Sequence, residues 1–449
     1  MRGAPHSGLR VAAVAEIRED AGNMLNHVIG FRCVVCSRQY RLDEVTYVCP
    51  DHGSEGILDV VYDYTAIAAD APRLSFAGSG DRTMWRYRAI LPISPAAPVP
   101  PLAVGGTPLY ETVLATDVGV GRLWIKDETR QPTASLKDRA SAMALVKAAE
   151  VGADVVTTAS TGNAAAALAG LAASVGQSTV IFVPEAAPEA KVAQLLAYGA
   201  TVVLVAGNYG AAFDLCMAAA QANGWYNRNT GFNPFMTEGK KTVVLEILEQ
   251  LAWSAPDVVA VSVGDGSIIG GVHKGLKDAL ALGWIDRMPR ILGVQAAGSD
   301  YLVQAWESGE DVLTKQPIPA DTVADSISAD LPRDRIKALA AVTETEGAYV
   351  RVDDGAILAA IPEIAAATGV FAEPAGAAAY PGIRQAVERG LIGANEDVVM
   401  IVTGSGLKDV GAAMRAADEV GIAPLRVPPD LDALNEALAT SGAMNRGAQ

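Results

Sequence analysis

Short apolar runs alternating with alanine-rich segments of helical length constrain the fold of this chain most. From residue 122 onward each apolar run ends at glycine or at a small polar residue. We predict strands at residues 122–126, 155–159, 178–183, 201–205, 258–263, 290–295 and 398–403. We predict helices at residues 140–150, 162–175 and 189–198. Such alternation is typical of βαβ units with mostly parallel sheets, whose ligands bind at the C-terminal ends of the strands.

The composition supports a large buried core and excludes some partners. Half of the 449 residues are hydrophobic and 19% are charged, with few aromatics, which fits parallel strands packed on alanine-rich helices. The net charge of −16 argues against nucleic acid or an anionic membrane as a partner. No apolar stretch is long enough to span a membrane, and residues 1–9 lack the apolar core of a secretory signal. We therefore expect a cytoplasmic protein whose four cysteines form no disulfide framework.

A short, turn-rich module, residues 1–65, precedes the alternating region. Within it, Cys33, Cys36, Cys49 and His52 have the spacing of two ligand-pair turns, which predicts a tetrahedral zinc site of structural type. The alternative is that the three cysteines are core thiols and His52 is a turn residue. Cys216, in an alanine-rich helix, is predicted to lie in the core. A proline-rich stretch, residues 91–102, is expected to be an extended connector.

Lys137 is the first candidate for chemistry. It opens a predicted helix that Ser135 could cap, and three turns rich in small residues follow later strands, at residues 160–163, 264–267 and 403–406. Burial and a helix N-terminus both lower the pKa of a lysine, and a neutral lysine can form a Schiff base. Taken alone, Lys137 is more simply a surface lysine, but the turns favour a phosphate-bearing aldehyde, with pyridoxal phosphate (PLP) the obvious candidate.

The second turn is predicted to hold a phosphate. Gly264, Asp265, Gly266, Ser267 and Ile268 end an apolar run and open a helix, so backbone N–H groups and the helix dipole can face an anion. The carboxylate of Asp265 would repel a phosphate, so we expect that side chain to point away. An ordinary strand-to-helix turn and a dinucleotide-binding turn are the alternatives.

The other two turns suggest contacts to a carboxylate and to a ring. The hydroxyls and N–H groups of residues 160–163 could receive a carboxylate, with an amide side chain nearby. Thr403 ends a strand, and its hydroxyl could bond an unprotonated pyridine nitrogen.

The blocks Lys126-Asp127-Glu128 and Pro132 to Arg139 resemble the "KxE…PTxSFKDR" block of threonine synthases and related fold-type II PLP enzymes. The similar motifs Gly105-Gly106-Thr107-Pro108-Leu109, Asn233-Pro234 to Thr242, Glu373 to Ala378 and Thr403 to Lys408 recur in the same order. The resemblance covers about residues 29–415 and extends to the tryptophan synthase beta-like group as a whole. It implies two α/β domains with mostly parallel sheets and PLP as cofactor. A zinc-ribbon-like module also heads many chains of this kind.

The resemblance implies a role for each matching residue. Lys137 would form the Schiff base and shuttle protons, Asn163 would contact the 3′-oxygen of PLP, and Thr403 would meet its pyridine nitrogen. The PLP phosphate would be bound by Gly264, Asp265, Gly266, Ser267 and Ile268. The substrate carboxylate would be bound by Ser160, Thr161 and Gly162. The large domain would span residues 66–139 and 256–449, the small mobile domain residues 140–255, and the protein would be a homodimer.

Four departures from the family pattern concern the substrate. Met236 replaces an arginine and Lys240 a glutamine of "NPYRxEGQKT", Leu136 replaces a phenylalanine, and Asp265 lies in the glycine turn. Loss of an arginine removes bidentate recognition of a phosphate, and Lys240 is a candidate substrate contact in its place.

We expect a lyase that converts O-phosphohomoserine and water to threonine and phosphate. The rival activity is β-elimination or β-replacement on serine, O-phosphoserine or a diamino acid. A non-catalytic regulatory protein on the same fold is a further alternative, although Lys137 and Thr403 argue against it.

Overall fold

The computed structural model describes residues 27–187 and 189–441, which contain three β-sheets and the helices around them. The strands are β1 Val28–Cys33, β2 Gln39–Tyr40, β3 Leu58–Tyr62, β4 Leu109–Glu111, β5 Arg122–Asp127, β6 Val155–Ala159, β7 Ser178–Pro184, β8 Thr201–Val205, β9 Tyr226–Asn227, β10 Val258–Ser262, β11 Arg290–Ala296, β12 Ala348–Val352 and β13 Asp397–Val402. All seven predicted strands are confirmed, each to within one residue at either end. The predicted mixed α/β fold with mostly parallel sheets is therefore confirmed.

Sixteen α-helices lie in the described part of the chain. They are α1 Tyr64–Asp70, α2 Leu114–Val118, α3 Lys137–Glu150, α4 Asn163–Val175, α5 Glu189–Ala197, α6 Tyr209–Asn223, α7 Phe235–Lys240, α8 Thr242–Gln250, α9 Ser267–Ala281, α10 Tyr301–Ser308, α11 Arg335–Thr343, α12 Asp354–Thr368, α13 Pro374–Ala377, α14 Ala379–Glu388, α15 Val410–Glu419 and α16 Leu431–Ser441. Within residues 27–187 and 189–441, no helix is both long enough and apolar enough to cross a bilayer. Residues 91–108 contain neither helix nor strand, as the proline-rich connector predicts.

The six-stranded sheet has the order β12-β11-β10-β13-β5-β4. All its pairings are parallel except that of β4 with β5. The central strands β10 and β13 are buried almost throughout, which explains their continuous Val-rich sequences. Because β10 and β13 are parallel neighbours, the turns that follow them, at residues 264–267 and 403–406, lie side by side at one edge of the sheet.

A second, four-stranded sheet has the order β8-β7-β6-β9, and all its pairings are parallel. Helix α4 follows β6, and five of its seven alanines are buried. Gly170 in α4 has no room for a side chain, since a Cβ there would lie 2.7 Å from the Cγ2 of Thr133. Small residues therefore let α4 pack closely on the segment that leads into Lys137.

The N-terminal sheet is small and antiparallel, with β1 between β2 and β3. Residues 1–26 of the predicted module 1–65 lie outside the described residues. The sheet shares one hydrophobic core with helices α3, α7, α8 and α9 and with the inner strands of the six-stranded sheet. The same core also contains Val156 of β6 and Leu168 of α4, so it joins elements of both predicted domains. Those domain boundaries stay a prediction.

Helix α3 begins at Lys137, three residues before the predicted range of 140–150. The predicted cap by Ser135 is wrong: residue Leu136 occupies the N-cap position, and the Ser135 hydroxyl is buried without a hydrogen-bond partner. Ser135 instead forms an isolated antiparallel bridge with Gly404, and the N–H of Leu136 donates to the carbonyl of Thr403 at 2.9 Å. These two contacts tie the start of α3 to the turn after β13.

A buried ion network fixes the other side of α3. The guanidinium of Arg139 is fully buried and pairs with Glu128 and Glu246, each at 2.7 Å. The amine of Lys126 completes the network with a 2.8 Å contact to Glu246. Removing one partner of such a network leaves a buried charge uncompensated, which costs about 3–5 kcal/mol. The network holds the first turn of α3 in a fixed orientation.

Candidate active site

One cavity of about 470 Å³ lies at the C-terminal edge of the six-stranded sheet, and we call it the lysine cavity. Its lining includes Lys137, Asn163, Gly264, Asp265, Gly266, Ser267, Ile268 and Thr403. All eight residues assigned to a cofactor from the sequence therefore surround one space. They come from four segments of chain, which the parallel topology brings together.

Lys137 supplies the reactive group of this cavity. It is the first residue of α3 and is only partly exposed, and its amine has no hydrogen bond or ion pair with any other described residue. Burial and the neighbouring charge of Arg228 lower the pKa of Lys137, whereas the negative charges of Asp265 and Glu373 act to raise it. A lysine with a lowered pKa is neutral for more of the time, and a neutral amine is a nucleophile.

The glycine turn, residues 264–268, forms the floor of the lysine cavity. A Cβ on Gly264 would lie 2.5 Å from the Cα of Ile327, and Gly266 adopts a φ of +88°. No side chain caps the N-terminus of α9, so no capping side chain accepts a hydrogen bond from the N–H groups of its first turn. The hydroxyl of Ser262 is also buried without a partner. Uncapped N–H groups at a helix N-terminus form an anion site suited to a phosphate.

The side chain of Asp265 is held by the loop before α11. One carboxylate oxygen accepts a 2.7 Å hydrogen bond from the N–H of Arg333. Burial raises the pKa of Asp265. The hydrogen bond ties the carboxylate of Asp265 to a neighbouring loop rather than to the N–H groups of the turn.

Asn163 makes a contact that the sequence did not reveal. Its amide donates to the Oε1 of Glu373 at 2.8 Å and to the hydroxyl of Ser326 at 3.4 Å. Glu373 is buried, lines the lysine cavity and has a raised pKa because of that burial. The Glu-Pro pair that begins α13 was quoted only as part of a motif, and its sequence carries no sign of a contact across 210 residues of chain.

A second, outer cavity of about 670 Å³ shares Asn163 and Glu373 with the lysine cavity. Thr161 and Gly162, predicted to receive the substrate carboxylate, line it. Ser160 is not among the lining residues and instead accepts a 3.2 Å hydrogen bond from the N–H of Gly162. The two cavities together provide adjoining sites for a cofactor and a small substrate.

Known proteins resemble this chain in sequence and in fold. The family model described as "Pyridoxal-phosphate dependent enzyme" matches residues 101–404. Threonine synthase of Methanocaldococcus jannaschii is 36% identical over 411 residues, 91% of this chain and 98% of the relative. Threonine synthase of Methanosarcina acetivorans is 37% identical over 91% of this chain and 98% of its own length.

The chain belongs to the pyridoxal-phosphate dependent enzyme family. The fold is also that of a diaminopropionate ammonia lyase from Escherichia coli, with a TM-score of 0.61, 19% identity, and coverage of 79% of this chain and 93% of that one. The processed form of threonine deaminase isoform 2 from Solanum lycopersicum has a TM-score of 0.60 at 24% identity, covering 71% and 84%. The predicted fold-type II class, PLP-dependent lyase chemistry and the cofactor are therefore confirmed.

The residues of the lysine cavity fit PLP. The phosphate of PLP matches the uncapped glycine turn, and its aldehyde needs a neutral amine such as that of Lys137. Thr403 is 7% exposed, lines the same cavity and offers a neutral hydroxyl rather than a carboxylate. The family relationship and the chemistry of the cavity both indicate PLP as the cofactor. The role of each individual residue stays a prediction.

Lys240 and Met236, the departures expected to touch the substrate, are placed elsewhere. Lys240 is fully buried and Met236 is 1% exposed, and neither lines the lysine cavity or the outer cavity. The amine of Lys240 has no hydrogen-bond partner. Burial, followed by the charges of Lys137 and Arg228, holds the pKa of Lys240 well below its ordinary value.

Cys33, Cys36, Cys49 and His52 form a compact group that we call the Cys/His cluster. Their ligand atoms all lie within 4.8 Å of one another. The sulfurs of Cys36 and Cys49 are 4.0 Å apart, and the Sγ of Cys49 is 3.5 Å from the Nδ1 of His52. Sulfurs bound at about 2.3 Å to one tetrahedral zinc have a similar spacing. The cluster thus has the donors and the size for a metal ion.

The protonation of the Cys/His cluster also suits a cation. Burial raises the pKa of Cys33, whereas hydrogen bonds from His52 and Tyr40 outweigh burial and lower the pKa of Cys49 to about 6. A thiolate is the form of cysteine that binds zinc. Cys216 is buried in the core between α6 and the four-stranded sheet, as predicted.

Proposed function

We propose that this enzyme converts O-phosphohomoserine and water to threonine and phosphate. The proposal is carried by its co-linear similarity to the two archaeal threonine synthases, which extends over 91% of the chain. The residues grouped around the lysine cavity lie inside residues 101–404, the region that the family model matches. The enzymes with similar folds but lower identity support the fold alone.

The chain's own groups have distinct tasks in this proposal. Lys137 would hold the aldehyde of PLP and, once released, would take the α-proton and then a β-proton of the substrate, so that the electron pair left at the β-carbon expels the γ-phosphate. The glycine turn binds the cofactor phosphate, and Thr161 and Gly162 bind the substrate carboxylate in the outer cavity. Bound PLP supplies the electron sink for the substrate α-carbon.

Asn163 and Thr403 orient the ring in this proposal. Asn163, held by Glu373, contacts the 3′-oxygen, and Thr403 meets the pyridine nitrogen without giving it a positive charge. Loss of either group would weaken the orientation of the ring rather than remove the amine that reacts.

The assembly and setting of the enzyme are further proposals. We infer a cytoplasmic homodimer with a small domain, about residues 140–255, that closes over the substrate. We also infer structural zinc in the Cys/His cluster, because three thiols and an imidazole converge there. Zinc content measured by atomic emission and mass measured by light scattering test these two inferences.

The activity test compares two phosphorylated amino acids. Purified enzyme should release phosphate from O-phosphohomoserine and form threonine in equal amounts, with the Lys137→Ala variant as the inactive control. Faster phosphate release from O-phosphoserine, with pyruvate as product, would instead favour the β-elimination alternative. No turnover of any substrate by protein that contains PLP would refute both activities.

A further inference from the structure

The proposed substrate has an anionic group at each end, and only one of them has an assigned partner. The carboxylate is assigned to Thr161 and Gly162 in the outer cavity. The phosphate has no partner at the two positions where the sequence suggested one, because Met236 and Lys240 line neither cavity. Taking an anion out of water without a positive partner costs free energy, so a cation is needed at the phosphate end.

Few cations line the two cavities. Among the described residues of these linings three are lysines, Lys137, Lys191 and Lys408, and none is an arginine or a histidine. Lys137 lies in the lysine cavity, where its amine is assigned to the aldehyde of PLP. Lys191 and Lys408 line the outer cavity together with Thr161 and Gly162. Within these linings, the two lysines are therefore the cations available to the phosphate.

Gln194 connects Lys191 to Lys408. Lys191 and Gln194 lie three residues apart in α5, so they share one side of that helix. The Nζ of Lys408 donates to the Oε1 of Gln194 at 3.2 Å, and Gln194 also lines the outer cavity. The backbone of Lys408 is held in the turn after β13, where its N–H donates to the carbonyl of Ser405 at 2.9 Å. The two lysines thus belong to one connected part of the cavity wall.

A second series of contacts leads from Lys191 to the segment assigned to the carboxylate. The amine of Lys191 pairs with Asp325, which lines the same cavity. The next residue, Ser326, accepts a 3.4 Å hydrogen bond from the amide of Asn163, and Asn163 directly follows Gly162. The lysines and the carboxylate segment therefore border a single space of about 670 Å³, which one small molecule with two anionic ends can enter.

Three carboxylates also line the outer cavity and oppose an anion there, namely Asp325, Glu373 and Asp409. Each of them already has a partner in the protein. Glu373 accepts a 2.8 Å hydrogen bond from the amide of Asn163, and Asp409 accepts one of 3.0 Å at the N-terminus of α15. Asp325 is 56% exposed and pairs with Lys191. Of the three, only Asp325 competes directly with a phosphate for a lysine of the lining.

Lys408 differs from Lys191 in having no carboxylate partner. In residues 27–187 and 189–441, its only contact of this kind is the hydrogen bond to the neutral amide of Gln194. An ammonium has several N–H donors, and this bond uses one of them. Burial lowers the pKa of Lys408, whereas the charges of Asp138 and Glu373 act to raise it. An anion in the outer cavity would give this amine the ion pair that the described residues do not supply.

We propose that Lys408 and Lys191 bind the phosphate of the substrate in the outer cavity, with the substrate carboxylate at the N-terminus of α4. Lysine binds a phosphate as a point charge rather than through a bidentate fork, so the pair replaces the arginine lost at Met236 by different chemistry. Asp325 exchanges its place on Lys191 for the phosphate. The inference rests on the proposed function, because the phosphate belongs to O-phosphohomoserine.

The test compares two ligands of the PLP-bound enzyme that differ in one anionic group. The first is the phosphonate analogue of O-phosphohomoserine, in which a CH2 group replaces the bridging oxygen. The second is norvaline, which has the same carbon chain without the phosphonate. Calorimetry gives both dissociation constants without turnover, and their ratio isolates the contribution of the phosphonate. The unmodified enzyme should bind the phosphonate at least about tenfold more tightly than norvaline.

The variants remove one charge each. Lys408→Gln and Lys191→Gln should each weaken binding of the phosphonate by about tenfold and leave norvaline unaffected, because a charged donor is lost. The control is Lys277→Gln, since that amine pairs with Glu344 at 3.5 Å and lines neither cavity. Asp325→Asn should act in the opposite direction and tighten phosphonate binding by about threefold, because it releases Lys191 from an exposed ion pair.

Three results would overturn the proposal. The first is equal affinity of the unmodified enzyme for the two ligands. The second is an unchanged ratio of the two constants in both Lys408→Gln and Lys191→Gln. The third is a loss of affinity in Lys408→Gln that is the same for both ligands, because that is the result of a structural role.

Failure of this inference differs from failure of the proposed function. If the enzyme converts O-phosphohomoserine to threonine while both lysine variants keep the unmodified ratio, the proposed function stands and only the inference is overturned. If the enzyme turns over neither phosphorylated amino acid, yet Lys408→Gln loses affinity for the phosphonate and not for norvaline, the anion site is supported and the proposed function is wrong.

Discussion

The Cys/His cluster and the lysine cavity gather reactive side chains by opposite means. The cluster takes all four of its donors from residues 33–52, and they already lie within 4.8 Å of one another. The lysine cavity takes its groups from segments between residues 137 and 403, and those groups are held apart around a space of about 470 Å³. A local set of residues can close on a small ion, whereas a site for a larger cofactor needs a sheet edge to keep its walls apart.

The two regions are nevertheless joined through α11. Glu55, three residues after His52, pairs with Arg335, and the amine of Lys337 donates to the carbonyl of Leu58 at 2.9 Å. At the start of the same helix, the N–H of Asp334 donates to the carbonyl of Asp265 at 2.9 Å. A change at the cluster can therefore reach the glycine turn through one helix.

Replacing Lys137 with alanine should have the largest effect on chemistry. We expect complete loss of the visible absorption of bound PLP and of turnover, because no other lysine lines the lysine cavity. The content of the proposed metal should be retained, and the urea midpoint should equal that of the unmodified enzyme without PLP, because bound PLP itself stabilises the fold. Absorption spectra, metal analysis and urea unfolding measure the three quantities. Loss of metal in this variant would show that the two regions are more tightly coupled than the contacts through α11 suggest.

Removing the zinc that we propose for the Cys/His cluster should have the next largest effect, on stability. A metal present at about 1,000 times its dissociation constant contributes about 4 kcal/mol to the free energy of unfolding. We expect a chelator, or Cys36→Ser, to lower the unfolding temperature and to weaken PLP binding through α11. Cys216→Ala is the control, because it also removes a cysteine thiol, but one that lies outside the cluster. An unchanged affinity for PLP after metal loss would separate the two regions.

A glycine pair tests the walls of the lysine cavity. Gly266→Ala forces a side chain into φ +88° and brings its Cβ to 2.7 Å from the Cβ of Ala338. Gly152→Ala is the control, since φ there is +64° and nothing lies within 4 Å. Both changes cost about 1–2 kcal/mol of backbone strain, but only Gly266→Ala should also weaken PLP binding, by about tenfold or more. Equal PLP affinities, measured by fluorescence titration, would contradict the importance of this close approach.

The sequence predicted the two regions unequally, for physical reasons. The spacing of Cys33, Cys36, Cys49 and His52 was sufficient for the cluster, because turns bring near neighbours together. The turns after the strands, including Thr403, were found because parallel strands end at a common edge, whereas Lys137 and Asn163 received their roles from the family resemblance. The seven predicted strands followed from the buried apolar runs, whereas the six other strands in the described part of the chain were not predicted.

The residues that sequence reasoning missed or misplaced are those controlled by tertiary contacts. Glu373 binds Asn163 across a long stretch of chain. Ser135 is extended because it bridges Gly404, so its capping pattern was misleading. Lys240 was expected in a substrate pocket, but the packing of Gly239 and Gly271 around it leaves it no exposed surface. No spacing rule reports contacts of these kinds.

We expect the smallest effect from a buried ion pair that connects the N-terminal sheet to α11. Asp59, in β3, contacts the amine of Lys337 at 2.9 Å. Burial alone would raise the pKa of Asp59, but Lys337, Lys277 and Lys274 together hold it well below its ordinary value. A carboxyl with a depressed pKa stabilises the fold above its unfolded pKa of about 4, and this contribution is lost as the pH falls toward the depressed value.

Asp59→Asn should therefore destabilise the protein by about 1–3 kcal/mol at pH 7, with a difference that narrows as the pH is lowered below about 4. Urea unfolding at pH 7, 5 and 3 measures this trend. The control is Asp43→Asn, because the Arg41–Asp43 pair is exposed on both sides and such pairs contribute little. A loss of stability that does not depend on pH would mean that Asp59 stabilises the fold through its packing rather than through its charge. If Asp59→Asn also weakens PLP binding at pH 7 while Asp43→Asn does not, α11 carries the coupling between the Cys/His cluster and the lysine cavity.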